Sequence, residues 1–511
     1  MNKSETKTTG FERFIMSVSK VLDKIPHPAI MYVFLAAFVV LLSAVLGGTE
    51  FMVPGKDAPT VVYSLFSRGG LEYMLTNMFK NFTGLNIVGL LIGLSIAVGI
   101  GEKSGFYNTF VTRLANSLPE KALIAGFLFV CINGNLLSDS SAVLLPPIGA
   151  VLFQARGRNP MMGILIAAFG YGGGLSANIL LAGTDANVSA ITIDALSLLP
   201  ATANMNITMM SNYYFMCASA FVLTAVGTLV ATKITEPLLE KDTEIDRSAN
   251  IENINVNLSD EQKKGLRASG IAAIIFFAIL LACVIPSNGL LRNANGQILP
   301  KSPLMSSIPQ LLFLFFSIVG SVYGFSSGTM KTARDILNGG IQGLRSIAPT
   351  LVTFFVSAQF INYLSKTNLA SLFAIRGATF LSDSGFTGIP LIIGLVILVA
   401  LVNLMIGSVS SKWAMLGPIF IPMFALLGFS PAFTQCIYRV GDALTNPINP
   451  LGTNIPMYIG YAQRYKKSAG VGTIISHMIP YLIASSLAWT GMLIIWYIFK
   501  LPLGPGAYVL M

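Results

Sequence analysis

The chain has 511 residues, of which 54% are hydrophobic and only 11% are charged, against roughly 25% charged residues in an ordinary soluble domain. A soluble fold of this size cannot hide so much apolar surface, which excludes a soluble enzyme, a secreted disulfide scaffold and a disordered chain. The formal net charge of +10 comes from Lys and Arg between apolar runs, so it indicates membrane topology and not nucleic-acid binding.

Nine apolar segments are each near the ~20 residues that cross a bilayer. They lie at about 28–48, 85–101, 121–137, 211–232, 268–286, 303–324, 346–364, 388–407 and 474–498. Basic residues before the first segment and in the long polar stretch after the fourth predict that both face the cytoplasm. The chain therefore divides into a cytoplasmic amino-terminal segment (1–27), a first transmembrane half (28–232), a polar cytoplasmic linker (233–267) and a second transmembrane half (268–511).

Two regions, 138–200 and 408–460, are apolar but are broken by Gly, Pro, Asn, Ser and Asp. Irregular backbone at membrane depth is tolerated only where protein or a watery cavity covers it. Each region therefore predicts the return limb of a re-entrant hairpin followed by a discontinuous helix. The two hairpins would lie near 121–157 and 388–428.

The two irregular regions also resemble each other at a constant offset of 271 residues. Matching residues in the first region are Pro147, Ile148, Phe153, Gly157, Pro160 and Asn178, opposite Pro418, Ile419, Phe424, Gly428, Pro431 and Asn449. The match indicates an internal duplication, the pattern by which transporters place a binding site between two repeats. The alternative is that hairpins in general share proline and glycine.

Charged side chains mark the second irregular region. An ionised group at the bilayer centre is costly, so Lys412, Arg439 and Asp442 should lie inside the protein with compensating partners. Arg439 and Asp442 are three residues apart, which on a helix predicts that they share one face as a pair. The alternative is a structural ion pair with no part in function.

The same helix predicts a cluster of oxygen atoms. Asn446 lies one turn after Asp442, and Pro447 and Pro450 then end the helix and free backbone carbonyls beside Asn449. Such oxygens suit a hard cation such as sodium, and transporters usually supply them from unwound helices.

The first half offers fewer charged candidates. Three glycines at 172–174 either admit a close ligand or pack helices together. Asp185 either binds a cation, carries a proton or caps a loop at the membrane edge. Ser138, Asp139 and Ser140 at the first hairpin tip either reach a substrate or cap helix ends.

The second hairpin tip reads Ser410-Ser411-Lys412-Trp413. Trp413 has a flat apolar face and one N–H donor, which suits stacking on an aromatic substrate, although an interfacial anchor is the alternative. Lys412 would attract an anionic group. Asn403, just before the tip, either completes the cation site or bonds to a neighbouring helix.

With these residues in place, the sequence closely resembles the AbgT family, the p-aminobenzoyl-glutamate transporters, essentially from end to end. The blocks that carry the resemblance are Lys24–Pro28, Ser138-Asp139, Ser176–Asn178, Thr184-Asp185, Ala414–Pro431 and Gly504–Gly506. The resemblance implies a dimeric inner-membrane protein with nine transmembrane helices and two re-entrant hairpins, divided into a substrate-holding core and a dimerising scaffold. It also implies uptake of p-aminobenzoyl-glutamate or export of sulfonamide antimetabolites, with ion or proton coupling.

The resemblance assigns functional positions as well. They correspond here to Asp185, Ser410, Trp413, Arg439, Asp442 and Pro450. A sodium site in the family implies possible sodium ligands at Asn403, Asp442 and Asn446. Lys412 is not carried over by the resemblance, so its role in substrate binding rests on its charge alone.

We therefore predict an all-α secondary transporter of two inverted repeats, with alternating access about a midplane site. Its substrate would be p-aminobenzoyl-glutamate or a related aromatic amide carrying carboxylates. Arg439, with Lys412, would hold a carboxylate, Trp413 would stack on the ring, and Ser410 and Asn178 would hydrogen-bond to the amide.

Asp185 and Asp442 are the candidates for coupling to sodium or protons, and no other cofactor is expected. The alternative function is proton-driven efflux of sulfonamides. An intramembrane hydrolase using Ser138 or Ser410 would need a nearby base, and the two histidines lie far away at 27 and 477. We expect a homodimer in the bacterial inner membrane, with the amino terminus in the cytoplasm and no nucleic-acid partner.

Overall fold

The computed structural model describes residues 28–54, 56–134, 140–247, 249, 258–299, 302–449 and 454–511. Within these ranges the regular secondary structure is helical except for one antiparallel pair of two-residue strands, β1 (Glu50–Phe51) and β2 (Thr60–Val61). Eight helices among the described residues are long and apolar enough to cross a membrane, or nine if the bent pair Phe106–Asn116 and Glu120–Asn133 counts as one span. The predicted all-α, multi-pass fold class is confirmed.

The described residues between 28 and 241 form eleven α-helices. They are α1 (Pro28–Val45), α2 (Arg68–Thr83), α3 (Asn86–Ser104), α4 (Phe106–Asn116), α5 (Leu123–Asn133), α6 (Ser140–Ala155), α7 (Pro160–Ala168), α8 (Gly183–Leu196), α9 (Pro200–Ala203), α10 (Tyr213–Val230) and α11 (Glu236–Lys241).

The described residues from 260 onward form nine more α-helices. They are α12 (Asp260–Val284), α13 (Pro303–Ser327), α14 (Ala333–Lys366), α15 (Leu369–Asp383), α16 (Ile389–Asn403), α17 (Val409–Leu426), α18 (Pro431–Leu444), α19 (Asn454–Ala462) and α20 (Val471–Phe499). Helix α14 begins thirteen residues before the predicted segment because its first turns are amphipathic and open with a capping carboxylate, Asp335.

Helix α3 packs against both α13 and α14 at backbone distance. A Cβ atom added to Gly343 would lie 1.9 Å from the carbonyl oxygen of Ser95, and one added to Gly99 would lie 2.3 Å from that of Gly339. Small residues permit this closeness, which is the usual means of helix association in lipid. Helix α12 packs mainly on α13 and keeps most of its apolar surface exposed.

The two segments matched in the sequence also share local geometry. The helices α6 and α17 both end in a turn whose glycine is left-handed, with φ of 69° at Gly157 and 88° at Gly428. The amide that follows each glycine donates to a phenylalanine carbonyl five residues earlier, over 2.9 Å at Phe153 and 3.0 Å at Phe424. These turns match at the same offset of 271 residues, but this helix ending is common and recurs at Gly385, where Phe386 N donates to Leu381 O at 2.9 Å. The internal duplication therefore stays a prediction.

Each of these turns leads into an interrupted helix. A side chain caps the new helix, Asn159 before α7 and Ser430 before α18. Helix α7 passes into a π-turn (Phe169–Gly173) and irregular backbone before α8 begins, while α18 is followed by a short 3₁₀ turn (Asn446–Ile448). The helix breaks therefore fall within the two irregular regions that the sequence predicted.

The last residues form a strap across the second hairpin. The carbonyl of Val509 accepts a hydrogen bond from Ser430 N at 2.9 Å, and Met511 N donates to Gly428 O at 3.1 Å. Leu503 O accepts from Tyr214 N at 2.8 Å. The strap therefore connects the turn between α17 and α18 to the start of α10.

Candidate functional site

Two buried ion pairs lie where the interrupted helices meet. Arg439 Nη2 is 2.5 Å from Asp185 Oδ1, and Lys412 Nζ is 2.6 Å from Asp442 Oδ1. All four side chains are at most 3% exposed. The predicted pairing of Arg439 with Asp442 is therefore wrong: they share α18, but each takes its partner from a different element. The first pair joins the two halves of the chain, and the second joins the hairpin limb α17 to α18.

Asp185 lies in the first turn of α8 and is held from several sides. Its Oδ2 accepts hydrogen bonds from Ala182 N at 2.7 Å and from Asn178 Nδ2 at 2.9 Å, while Oδ1 faces Arg439. The amino terminus of a helix favours a carboxylate electrostatically. Asp185 is thus a helix cap and an ion-pair partner at once, and Asn178 is committed to it as a donor.

Among the residues that the structure describes, several polar atoms around these pairs are buried without a hydrogen-bond partner. They include Arg439 Nε, Ser176 Oγ and Asp442 Oδ2. Arg439 also approaches the carbonyl of Ser176, at 3.4 Å, and Ser176 has a left-handed backbone with φ of 74°. Buried polar groups are nearly always paired, so unpaired ones beside a helix break indicate capacity for a ligand.

The second pair belongs to a network of amides. The Lys412 ammonium also donates to Asn403 Oδ1. Asn403 Nδ2 donates to Thr445 Oγ1 at 2.9 Å and to Asn446 Oδ1 at 2.7 Å. The sodium ligands predicted from the sequence are Asn403, Asp442 and Asn446, and the structure brings these three together. They do not fit a sodium ion in this arrangement, because a nitrogen donor already occupies the amide oxygens and one carboxylate oxygen.

Trp413 is fully buried. Its ring stacks on that of Tyr438, with centroids 4.3 Å apart, and its Nε1 donates to Thr192 Oγ1 at 2.9 Å. The Thr192 hydroxyl donates to Gln435 Oε1 at 2.6 Å, and Gln435 Nε2 donates to Asn212 Oδ1 at 2.6 Å. Stacking of Trp413 on substrate remains a prediction, since Tyr438 covers one face of the indole here. No role was predicted for these hydrogen-bonded residues, whose only signal in the sequence is their polar character within apolar helices.

The remaining predicted site residues are less defined. Ser410 is partly buried at the start of α17, and Asn449 Nδ2 donates to the Asn403 carbonyl at 2.9 Å. Pro450, Ser138 and Asp139 lie outside the described residues, as does the side chain of Ser140.

A cavity of about 710 Å³ lies between α3, α8 and α13. Its wall includes polar side chains of Asn86, Ser189 and Gln310 among apolar ones. Ser189 and Ala186, which also lines it, are within the first two turns of α8, so the cavity reaches the helix that begins beside Asp185. Its volume falls in the range of roughly 300–1,000 Å³ typical of small-molecule pockets.

Interrupted membrane helices with compensated charges at the breaks are typical of membrane transporters. The model of the AbgT putative transporter family matches residues 13–511, and the chain belongs to this family. The resemblance seen in the sequence is thereby confirmed.

Three relatives place the chain within the family. The p-aminobenzoyl-glutamate transport protein of Escherichia coli (strain K12) is 34% identical over 493 residues, covering 96% of both chains. The crystal structure of the Alcanivorax borkumensis YdaH transporter has a TM-score of 0.88 at 33% identity, covering 94% of this chain and 100% of that one. The structure of Neisseria gonorrhoeae MtrF, from a class of antimetabolite efflux pumps, has a TM-score of 0.87 at 33% identity, covering 97% and 100%.

Proposed function

We propose that this chain is an ion-coupled secondary transporter of p-aminobenzoyl-glutamate or a related aromatic amide carboxylate, with alternating access at the junction of the interrupted helices. The E. coli relative is named for transport of that substrate. The observation that carries the proposal is the buried Arg439 guanidinium, which keeps an unpartnered Nε at this junction while its Nη2 binds Asp185.

A carboxylated substrate would find its strongest partner at this guanidinium. Arginine presents five donors in a planar fork that matches a carboxylate, and Nε is free to donate. The unpartnered hydroxyl of Ser176 lies on the backbone that Arg439 touches and could hydrogen-bond to the same ligand. Ser410, Asn178 and Pro450 remain proposed contacts for the rest of the molecule.

The cavity beside α8 is the proposed approach to this junction, since Ala186 and Ser189 of its wall follow Asp185 on the same helix. It lies against α3 and α13 on one side and the first turns of α8 on the other. The aromatic portion of the substrate would pass along the apolar wall of the cavity, while Asn86, Ser189 and Gln310 would hydrogen-bond to the amide. Asp185 and Asp442 are the proposed coupling carboxylates, because each balances a buried cation that substrate or ion binding would disturb.

Efflux of sulfonamide antimetabolites is the second candidate function. It is favoured by the similarity to MtrF, which belongs to a class of antimetabolite efflux pumps. Both functions use one site, and the direction depends on gradients. Comparing labelled p-aminobenzoyl-glutamate with a labelled sulfonamide in right-side-out and inverted vesicles separates the two.

We also propose a homodimer in the bacterial inner membrane, with the amino terminus in the cytoplasm. The basic residues before the first helix support this orientation by the positive-inside rule. Cysteine labelling of the amino terminus in sealed vesicles tests the orientation. Cross-linking in native membranes tests the dimer.

The test of function is uptake of labelled p-aminobenzoyl-glutamate into proteoliposomes, with sodium and pH gradients imposed separately. We expect accumulation above equilibrium under at least one gradient and recovery of chemically unchanged substrate. Equilibration without accumulation under either gradient would contradict ion coupling. Recovery of cleaved products would contradict transport as the activity.

Arg439→Lys tests the site within this function. Lysine keeps the charge but loses the planar fork and Nε, so affinity for p-aminobenzoyl-glutamate should fall by roughly one to two powers of ten. An analogue without carboxylates should be affected much less. Equal losses for both ligands would assign Arg439 to structure alone.

A further inference from the structure

We infer that Lys412 is a built-in cation that takes the place of bound sodium at Asp442, so that this chain binds and moves its substrate without sodium. The inference rests on the proposed transport function for its substrate readout and on geometry for the rest.

The first support is the position of the ammonium. Lys412 Nζ lies 2.6 Å from Asp442 Oδ1 and also donates to Asn403 Oδ1, and both members of the ion pair are fully buried. A carboxylate oxygen and an amide oxygen are the ligand types that a hard monovalent cation prefers. The ammonium therefore occupies the place between the oxygens that sodium would need.

The neighbouring oxygens are also engaged. Asn446 Oδ1 accepts from Asn403 Nδ2 at 2.7 Å, and the Asn403 carbonyl accepts from Asn449 Nδ2 at 2.9 Å. Tyr438 OH donates to Asp442 Oδ1 at 3.3 Å. Of the three predicted ligand side chains, Asp442 Oδ2 is the oxygen that is buried with no partner in the described part of the chain. A single oxygen does not make a sodium site.

The charge balance leads to the same conclusion. Two carboxylates, Asp185 and Asp442, are paired with two cations, Arg439 and Lys412, in a region shielded from solvent. The set is neutral, so an added sodium ion would leave a net positive charge in a medium of low dielectric. Removing the lysine charge would instead leave Asp442 uncompensated and create a demand for a cation.

The position of Lys412 gives this cation a mechanical role. Lys412 is on α17, Asn403 ends α16 and Asp442 is on α18, so one ammonium joins both limbs of the hairpin to the interrupted helix. A sodium ion would make the same links reversibly. The tethered ammonium makes them without dependence on an external concentration.

The experiment compares wild type with Lys412→Gln in sodium and in potassium at equal ionic strength, which separates binding from screening. Thermal unfolding of purified protein needs no substrate, and uptake of p-aminobenzoyl-glutamate is measured in parallel. In wild type we expect equal melting temperatures and equal uptake in the two salts. In Lys412→Gln we expect sodium to raise the melting temperature and to stimulate uptake on the order of tenfold, within the range typical of coupled ligands.

Two controls isolate the carboxylate and the lysine. Lys412→Gln combined with Asp442→Asn removes both charges and should abolish the sodium response. Lys366→Gln removes an exposed lysine that lies over the rings of Tyr63 and Tyr73, and it should behave as wild type.

Sodium-specific stabilisation of wild type would overturn the inference, as would a folded Lys412→Gln with no sodium response. If Lys412→Gln does not fold, the comparison of wild-type melting temperatures in sodium and in potassium decides. Folding of the double variant Lys412→Gln with Asp442→Asn would then support the inference. If p-aminobenzoyl-glutamate is not taken up but the melting temperatures respond as expected, the proposed function is rejected and the assignment of Lys412 as the built-in cation still holds.

Discussion

Asp185→Asn should destabilise the protein far more than its small change in shape suggests. The substitution leaves the Arg439 guanidinium buried and unpaired, while Asn178 and Ala182 still donate toward residue 185. The single amide oxygen cannot serve both sides, so the NH₂ group faces either the guanidinium or those donors. Breaking a buried ion pair by removing one partner costs about 3–5 kcal/mol.

That free energy corresponds to about two to three and a half powers of ten in the unfolding equilibrium. It can be measured by denaturant titration in detergent micelles, followed by tryptophan fluorescence. Asp194→Asn is the matched control, because Asp194 is on the same helix and accepts from the neutral amide of Asn86 at 2.7 Å. Asp194→Asn should lower the free energy of unfolding by only about 0.5–1.5 kcal/mol.

The double variant Asp185→Asn with Arg439→Gln should recover part of the loss, since it removes both charges together. The resulting double-mutant cycle reports the coupling of the pair directly. If Asp185→Asn loses no more stability than Asp194→Asn, the pair carries little energy and our account of the junction is wrong.

Three further predictions concern other parts of the protein. Trp413→Phe should keep the stacked ring and lose about 1 kcal/mol with the indole hydrogen bond, whereas Trp413→Ala should lose about 3–5 kcal/mol; equal unfolding midpoints would contradict the packing described. Gly343→Ala should lower the melting temperature, because the new methyl group would lie 1.9 Å from the carbonyl oxygen of Ser95. An unchanged melting temperature would mean that α3 and α14 can move apart without loss of stability. Lys466 Nζ lies 2.7 Å from Asp242 Oδ2 and 3.2 Å from Glu244 Oε2. Burial raises the pKa of Asp242, but hydrogen bonding and the charge of Lys466 lower it by more, so the net shift is downward. The pKa of Glu244 is lowered first by the hydrogen bond from the Ser468 hydroxyl and then by Lys466. Depressed pKa values add stability above the unfolded pKa of about 4 and lose it as pH falls further, so the melting temperatures of wild type and Lys466→Gln should differ at neutral pH and converge below about pH 4.

The sequence predicted which segments are buried in the membrane more readily than how they meet. Long apolar runs specify spans because the bilayer demands about twenty such residues. Helices α2, α4 and α15 were not predicted, because they are short or only partly apolar. The matching turns at Gly157 and Gly428 were predictable because left-handed backbone strongly selects glycine.

Within the site, the sequence identified the charged residues but not their partners. Spacing along α18 places Arg439 and Asp442 on one side, yet partners are decided by elements far away in sequence, such as Asp185. Long side chains can reach in several directions, and no local pattern records the choice. The burial of Trp413 against Tyr438 was missed for the same reason.

The carboxyl-terminal strap has a practical consequence for every assay proposed above. Met511 is hydrogen-bonded to the turn between α17 and α18, so a purification tag or fluorescent fusion attached there would begin within the hairpin's own support. Such a fusion should reduce the yield of well-folded protein and disturb the hairpin that carries Lys412. Affinity tags and labels for immobilisation should therefore not be attached directly to Met511.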